Sequence, residues 1–172
     1  YGIDTDRIAV AGTSAGGIAV GRALTEKPEL FAGAVADVGF MNPVRYAAEQ
    51  NNMDINEWGP IEDTASFRAM YEMDSYHAIK DGTRYPPVLV ISGFNDPRVA
   101  TFHAAKFVAR LQETTKGKSA VLLRMDFEAG HGMGSTRNQR DALVADIYSF
   151  TLWCAGAKGS QTPKLSAADV AR

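Results

Sequence analysis

Four short apolar runs punctuate the chain: Arg7 to Ala11 (RIAVA), Gly33 to Val38 (GAVADV), Pro87 to Ser92 (PVLVIS) and Ala120 to Phe127 (AVLLRMDF). The first three lack the two-residue alternation of a half-buried strand, which predicts strands covered on both faces of a parallel sheet. Between them the period lengthens. Ala15 to Glu26 predicts a helix that stops before Pro28, which lacks the N–H that another turn would need. Ala104, Phe107, Val108 and Leu111 make one helical stripe between Arg98 and Thr115, and Leu143, Ile147 and Phe150 make another, with Val144 and Tyr148 beside it. Strand and helix alternate, so the class is α/β with right-handed parallel crossovers.

Asn42 to Gly82 breaks this rhythm with a polar, Met-rich and aromatic insertion. Thr64 to Met73 predicts a helix there and the rest predicts loop, and a connection this long is usually functional or a lid. After Ala155 the chain turns small and polar, and fraying is expected. No repeat or linker divides the remainder. Residues 1–156 are therefore expected to form one domain or part of one, and 157–172 a flexible tail.

Composition narrows the partners more than the fold. At 172 residues, 45% hydrophobic and 22% charged, the chain can bury an ordinary core. Its net charge is −2 and its 18 basic residues are scattered, which argues against nucleic acid or an anionic membrane surface and for a small-molecule or peptide partner. The single cysteine, Cys154, excludes an internal disulfide, reads as a core thiol and leaves the compartment open between cytoplasm and periplasm. No apolar run approaches the ~18 residues needed to cross a bilayer. No leader is recognised at the start, where the sequence opens on Tyr1 rather than Met. No cofactor or metal set is expected.

The stretch IAVAGTSAGG, Ile8 to Gly17, carries the candidate chemistry. Gly12-Thr13-Ser14-Ala15-Gly16 fits G-x-S-x-G at a strand-to-helix turn, where a strained serine is lifted above the sheet and residues two away are crowded enough to require glycine. The Ala15 N–H, at the positive end of the new helix, is placed to donate to an oxyanion. A serine hydroxyl needs a base, and the base needs an orienting carboxylate. Of three histidines, His77 beside Tyr76 and His103 within a helix read as packed or solvated residues. His131, in EAGHGMG directly after the last strand, can reach over the serine. Asp96 follows the third strand in ISGFNDPRV; Asn-Asp-Pro there is also good turn chemistry. The chain order Ser14, Asp96, His131, each after a strand, is that of an α/β-hydrolase.

GTSAGG, GFNDPRV and EAGHGMG, with YGIDTDRIAVAG leading in, resemble the carboxyl-terminal half of the catalytic domain of the prolyl oligopeptidase family of serine peptidases, from about Tyr1 to Gly156. The Asp-x-Arg-Val element separates that family from general esterases sharing the serine motif. The resemblance implies a Ser14 nucleophile, an Asp96 acid and a His131 base acting on short peptides, often after proline. It implies that Arg98 binds a substrate carbonyl beside the scissile bond, and that Phe40 and Val99 line the proline pocket. For the aromatic residue that stacks on the proline, Trp58 and Tyr46 are the nearby candidates.

The same resemblance implies a partial α/β-hydrolase fold, about four strands of an expected eight. The amino-terminal half of the sheet, a propeller domain and a tyrosine that completes the oxyanion hole would lie upstream. Losing one oxyanion donor costs about 2.7–4 kcal/mol of transition-state stabilisation, and the strand before Ser14 would be left with an open apolar edge. The 172 residues alone are therefore expected to be an inactive fragment. A carboxylesterase of the same fold, and a noncatalytic hydrolase-like binding domain, are the competing readings.

Overall fold

The computed structural model describes residues 4–47, 58–132 and 135–160. Four parallel strands, β1 (Ala9–Thr13), β2 (Gly33–Asp37), β3 (Val88–Gly93) and β4 (Val121–Asp126), lie side by side in chain order. Helices α1 (Gly16–Glu26), α2 (Pro43–Ala47), α3 (Thr64–Met73), α4 (Ser75–Ala78), α5 (Phe102–Thr114) and α6 (Arg137–Cys154) complete the described elements, with short 3-10 turns at Thr5–Arg7 and Pro28–Leu30.

The pleat divides the strand side chains between two cores. Ala34, Ala36, Val88 and Val90 meet Val20 and Leu24 of α1 and Phe107 and Leu111 of α5 on one face. On the other, Val35, Leu89 and Ile91 meet Leu143, Ile147 and Phe150 of α6. Phe107 and Leu111 are fully buried, each worth about 1.5–3 kcal/mol over leaving the side chain in water. α6 starts on a capping box in which the Thr136 hydroxyl accepts from the Gln139 N–H and the Gln139 amide oxygen accepts from the Thr136 N–H. Those bonds satisfy amides that the first helical turn leaves without partners.

Register positions the site. Thr13 pairs with Asp37, Asp37 with Ile91, and Gly93 with Asp126, so the carboxyl ends of all four strands finish nearly level. The connections carrying Ser14, Asp96 and His131 therefore leave from one edge of the sheet.

Two expectations need correcting. β2 and β3 are buried on both faces, but β1 is not: Ala11 and Thr13 are exposed. β1 is an edge of the described sheet, and the α6 core reaches only β2 and β3. The insertion also holds more helix than its polarity suggested. Thr64–Met73 is helical as expected, capped by Asp63, but Pro43–Ala47 and Ser75–Ala78 are helical too. The second of these forms because the buried Asp74 accepts the His77 N–H at 2.9 Å, a cap worth roughly 1 kcal/mol. Beyond α6, the Ala157 N–H still donates to the Leu152 carbonyl, and residues 161–172 lie outside the described part. Cys154 packs against Gly33, and burial pushes its thiol up to about 11, so it stays protonated.

Candidate active site

Ser14 sits between β1 and α1 with φ 55°, a left-handed conformation that costs a non-glycine residue about 1–2 kcal/mol. Backbone bonds hold it there. The Ser14 N–H donates to the Asp37 carbonyl at 2.9 Å, while the Ser14 carbonyl accepts from Gly17 at 2.8 Å and from Phe40 at 3.1 Å. Ala15 is exposed at the amino end of α1.

Crowding around the elbow is distributed differently from the motif. A side chain on Gly12 would come within 2.5 Å of the Gly16 carbonyl oxygen and 2.7 Å of Val20, as expected. Gly16 has open space where a Cβ would go, so its place in the motif is not a steric requirement in this chain. The next glycine is the crowded one: a Cβ on Gly17 would lie 2.5 Å from the Gly39 Cα and 2.9 Å from the Phe40 nitrogen. The reason is tertiary. Val38, with φ 42°, turns the chain after β2 back across the start of α1. Of this contact the sequence carried only one sign, Gly39 directly after an apolar strand, and the reading of the motif missed it.

The acid arrives by turn chemistry. One Asp96 oxygen, Oδ1, accepts the N–H groups of Arg98 at 2.8 Å and Val99 at 2.9 Å, and this fixes the carboxylate. The other, Oδ2, faces the His131 Nδ1 at 2.7 Å, and His131 Nε2 lies 2.8 Å from the Ser14 Oγ. With Nδ1–H donating to Asp96, Nε2 is left to accept the Ser14 hydroxyl proton. The Asp96 side chain is fully buried and that of His131 is 11% exposed. Backbone bonds from the Phe94 N–H to the Asp126 carbonyl and from the Asn95 N–H to the Ala129 carbonyl join the acid and base loops. The sequence-predicted trio is thus brought together in one unbroken hydrogen-bonded line.

The neighbouring side is apolar. Phe40 stacks on Trp58 with ring centres 5.5 Å apart and meets Tyr46 edge-on at 4.8 Å, and Val99 and Ile18 join the same cluster. Arg98 is exposed, two residues beyond the acid. Behind Phe40, at 4.9 Å, lies the ring of His103. His103 is fully buried, accepts the Asn42 N–H on Nδ1 at 3.0 Å, and is held neutral because burial and nearby Lys106 lower its pKa to about 3. His77 is surface-facing and paired with Asp74 at 3.0 Å.

Asp37, which sequence reasoning passed over, ends β2 beside the base loop. Its carboxyl lines a cavity of about 30 Å³ with Arg124, Asp126, Gly130 and Gln139, room for about one water. Burial raises its pKa, opposed by the charges of His131 and Arg124. No described helix is long and apolar enough to cross a membrane.

Comparison with known proteins identifies relatives of the chain. Residues 1–158 match the prolyl oligopeptidase family. The chain is 35% identical over 155 residues to a prolyl endopeptidase of Elizabethkingia miricola, covering 89% of this chain and 22% of that protein. It is 30% identical over 151 residues to dipeptidyl aminopeptidase BI of Pseudoxanthomonas mexicana, covering 86% and 21%. Among solved structures, one from a study of two prolyl endopeptidases superposes with TM-score 0.84 at 32% identity over 90% of this chain and 23% of that one. Oligopeptidase B from Leishmania major gives TM-score 0.82 at 27% identity over 88% and 22%. The chain thus spans about 22% of the length of the curated relatives it matches.

Proposed function

The chain belongs to the prolyl oligopeptidase family, and from that premise we propose that it carries the acyl-transfer site of a serine peptidase acting on short peptides. The observation that carries this reading is the line Asp96, His131, Ser14, with contacts of 2.7 Å and 2.8 Å already made without substrate. His131 Nε2 takes the Ser14 proton as Oγ bonds to the scissile carbonyl carbon. It then gives that proton to the amine as the C–N bond breaks, leaving an acyl-enzyme that water hydrolyses by the same route. Asp96 holds the tautomer and faces the imidazolium that forms. The Ala15 N–H supplies one oxyanion donor, and Arg98 is the group for a substrate carbonyl beside the cleaved bond.

In this reading residues 1–156 are part of a hydrolase domain. The outer edge of β1 then pairs with a further strand, a second oxyanion donor comes from outside these residues, and the relatives' greater length holds the rest of that domain and a propeller. An alkyl fluorophosphonate tests the nucleophile directly, because Ser14 Oγ displaces fluoride only when an aligned base removes its proton. Applied to the natural protein containing this chain, it should add its mass to the Ser14 peptide, and Ser14→Ala should abolish the adduct. A folded protein that stays unlabelled would overturn the reading.

A further inference from the structure

Asp37 has no task in the triad, yet it is built into the site. Its carbonyl accepts the Ser14 N–H at 2.9 Å, which ties the residue to the nucleophile. Its side chain lines the same small cavity as Gly130 and Gly132, the neighbours of His131. At about 30 Å³ that cavity has room for about one water, so protein rather than bulk solvent surrounds the charge.

The Asp37 carboxylate is half-buried, and among the described residues no hydrogen bond reaches it. The acids around it are engaged instead. Asp96 accepts the Arg98 and Val99 amides on Oδ1 and meets His131 through Oδ2. Asp126 accepts the Glu128 and Ala129 N–H groups, and Glu128 accepts from the Gln139 amide. Of the cations on these elements, Arg124 donates to Asp146 at 2.6 Å, Arg140 donates to the Ser135 carbonyl, and Arg98 is exposed.

A half-buried carboxylate without a donor is costly unless a positive charge answers it. Two charges favour ionised Asp37, that of protonated His131 first and that of Arg124 second. The attraction is mutual: what the imidazolium does for the carboxylate, the carboxylate does for the imidazolium.

Resting on the peptidase reading, we propose that Asp37 is a second acid serving His131, a positioning residue that acts through the base. Its negative charge stabilises the imidazolium that forms as Ser14 attacks. By the same attraction it favours the protonated base in mild acid, where Nε2 can no longer take the Ser14 proton. Asp37 therefore speeds the attack and narrows the pH range in which the attack occurs.

The pH profile of Ser14 labelling by an alkyl fluorophosphonate tests this on the natural protein containing this chain. Oγ bonds to phosphorus, fluoride leaves, and His131 takes the hydroxyl proton, so the rate follows the fraction of neutral base. Asp37→Asn removes the charge at nearly constant shape, and Asp37→Ser removes it by a second route. In both, the acid limb should move to lower pH by about 0.5–1 unit, somewhat less than a charge in direct contact would give. The plateau should fall by up to the matching factor, about three- to tenfold. A merely structural Asp37 would lower the plateau and leave the limb in place. A limb unmoved in both folded variants, or moved to higher pH, overturns the proposal, while the labelling itself upholds the peptidase reading. Loss of the fold in both variants overturns it too, because the carboxylate would then serve the fold rather than the base. If Ser14 is labelled at no pH, the peptidase reading falls and this one with it.

Discussion

The acid–base side of the site and its aromatic side hang from the same few backbone bonds, yet one is polar and reaches solvent while the other is apolar and closed. Ser14, His131 and Asp96 meet through hydrogen bonds whose direction matters, and a histidine 11% exposed can pass protons outward. Phe40 meets Tyr46 and Trp58 through ring contacts, with Val99 in the same apolar cluster. The difference separates two properties usually discussed together. The polar trio is aligned by hydrogen bonds, whereas the aromatic cluster is held by packing. The two sides should therefore respond to different mutations.

The sharpest way to break that separation acts on the polar side. Asp96→Asn keeps an oxygen for the Arg98 and Val99 amides but presents an N–H to His131 Nδ1, inverting the tautomer. Fluorophosphonate labelling of Ser14 should slow by about 10⁴-fold, as for the equivalent change in a Ser-His-Asp triad. The melting temperature should barely move; a large drop would mean that the acid is chiefly structural.

The closed side should answer to pH. His103 stays neutral in the fold down to about pH 3 but takes a proton at about 6.5 when unfolded. Its folded pKa lies below its unfolded one, so below pH 6.5 the unfolded state binds the extra proton and stability falls until about pH 3. At about 1.4 kcal/mol per unit the full span amounts to several kcal/mol. Thermal melts from pH 8 to pH 4 should show the loss, and His103→Asn, which keeps an acceptor for the Asn42 amide, should flatten it. A slope unchanged in that variant would mean the ring is not sealed.

The smallest test concerns the glycines that let the two sides approach. Gly17→Ala drives a methyl into Gly39 and Phe40 and should cost about 1–3 kcal/mol of stability. Gly16→Ala enters open space on a helix and should be neutral or slightly stabilising. Equal costs in urea unfolding would refute the close approach of α1 to the Val38–Phe40 turn.

Much of the site was legible in the chain because turn chemistry is local. The elbow at Ser14, the Asp96 turn and the glycine-flanked His131 loop each follow a strand, and the parallel order of the sheet brings such loops to one edge. The helix at Thr64–Met73 was legible for the same reason, with Asp63 as its cap. The open edge of β1 was implied by the resemblance, but its lower burial was not read from its apolar residues, which match those of β2 and β3, because burial depends on neighbours rather than on composition. Asp37 was overlooked because nothing near it in sequence hints at His131, 94 positions away.

By itself the sequence pointed to the α/β order, to Ser14, Asp96 and His131 as a group, and to the elbow, since each depends on backbone preferences spanning only a few positions. Only the tertiary structure decided that Gly17 rather than Gly16 bears the crowding, and that Phe40 packs among Trp58, Tyr46 and His103 beside Ser14. Those outcomes depend on which segments are pressed together, and close packing between distant residues has no local signature.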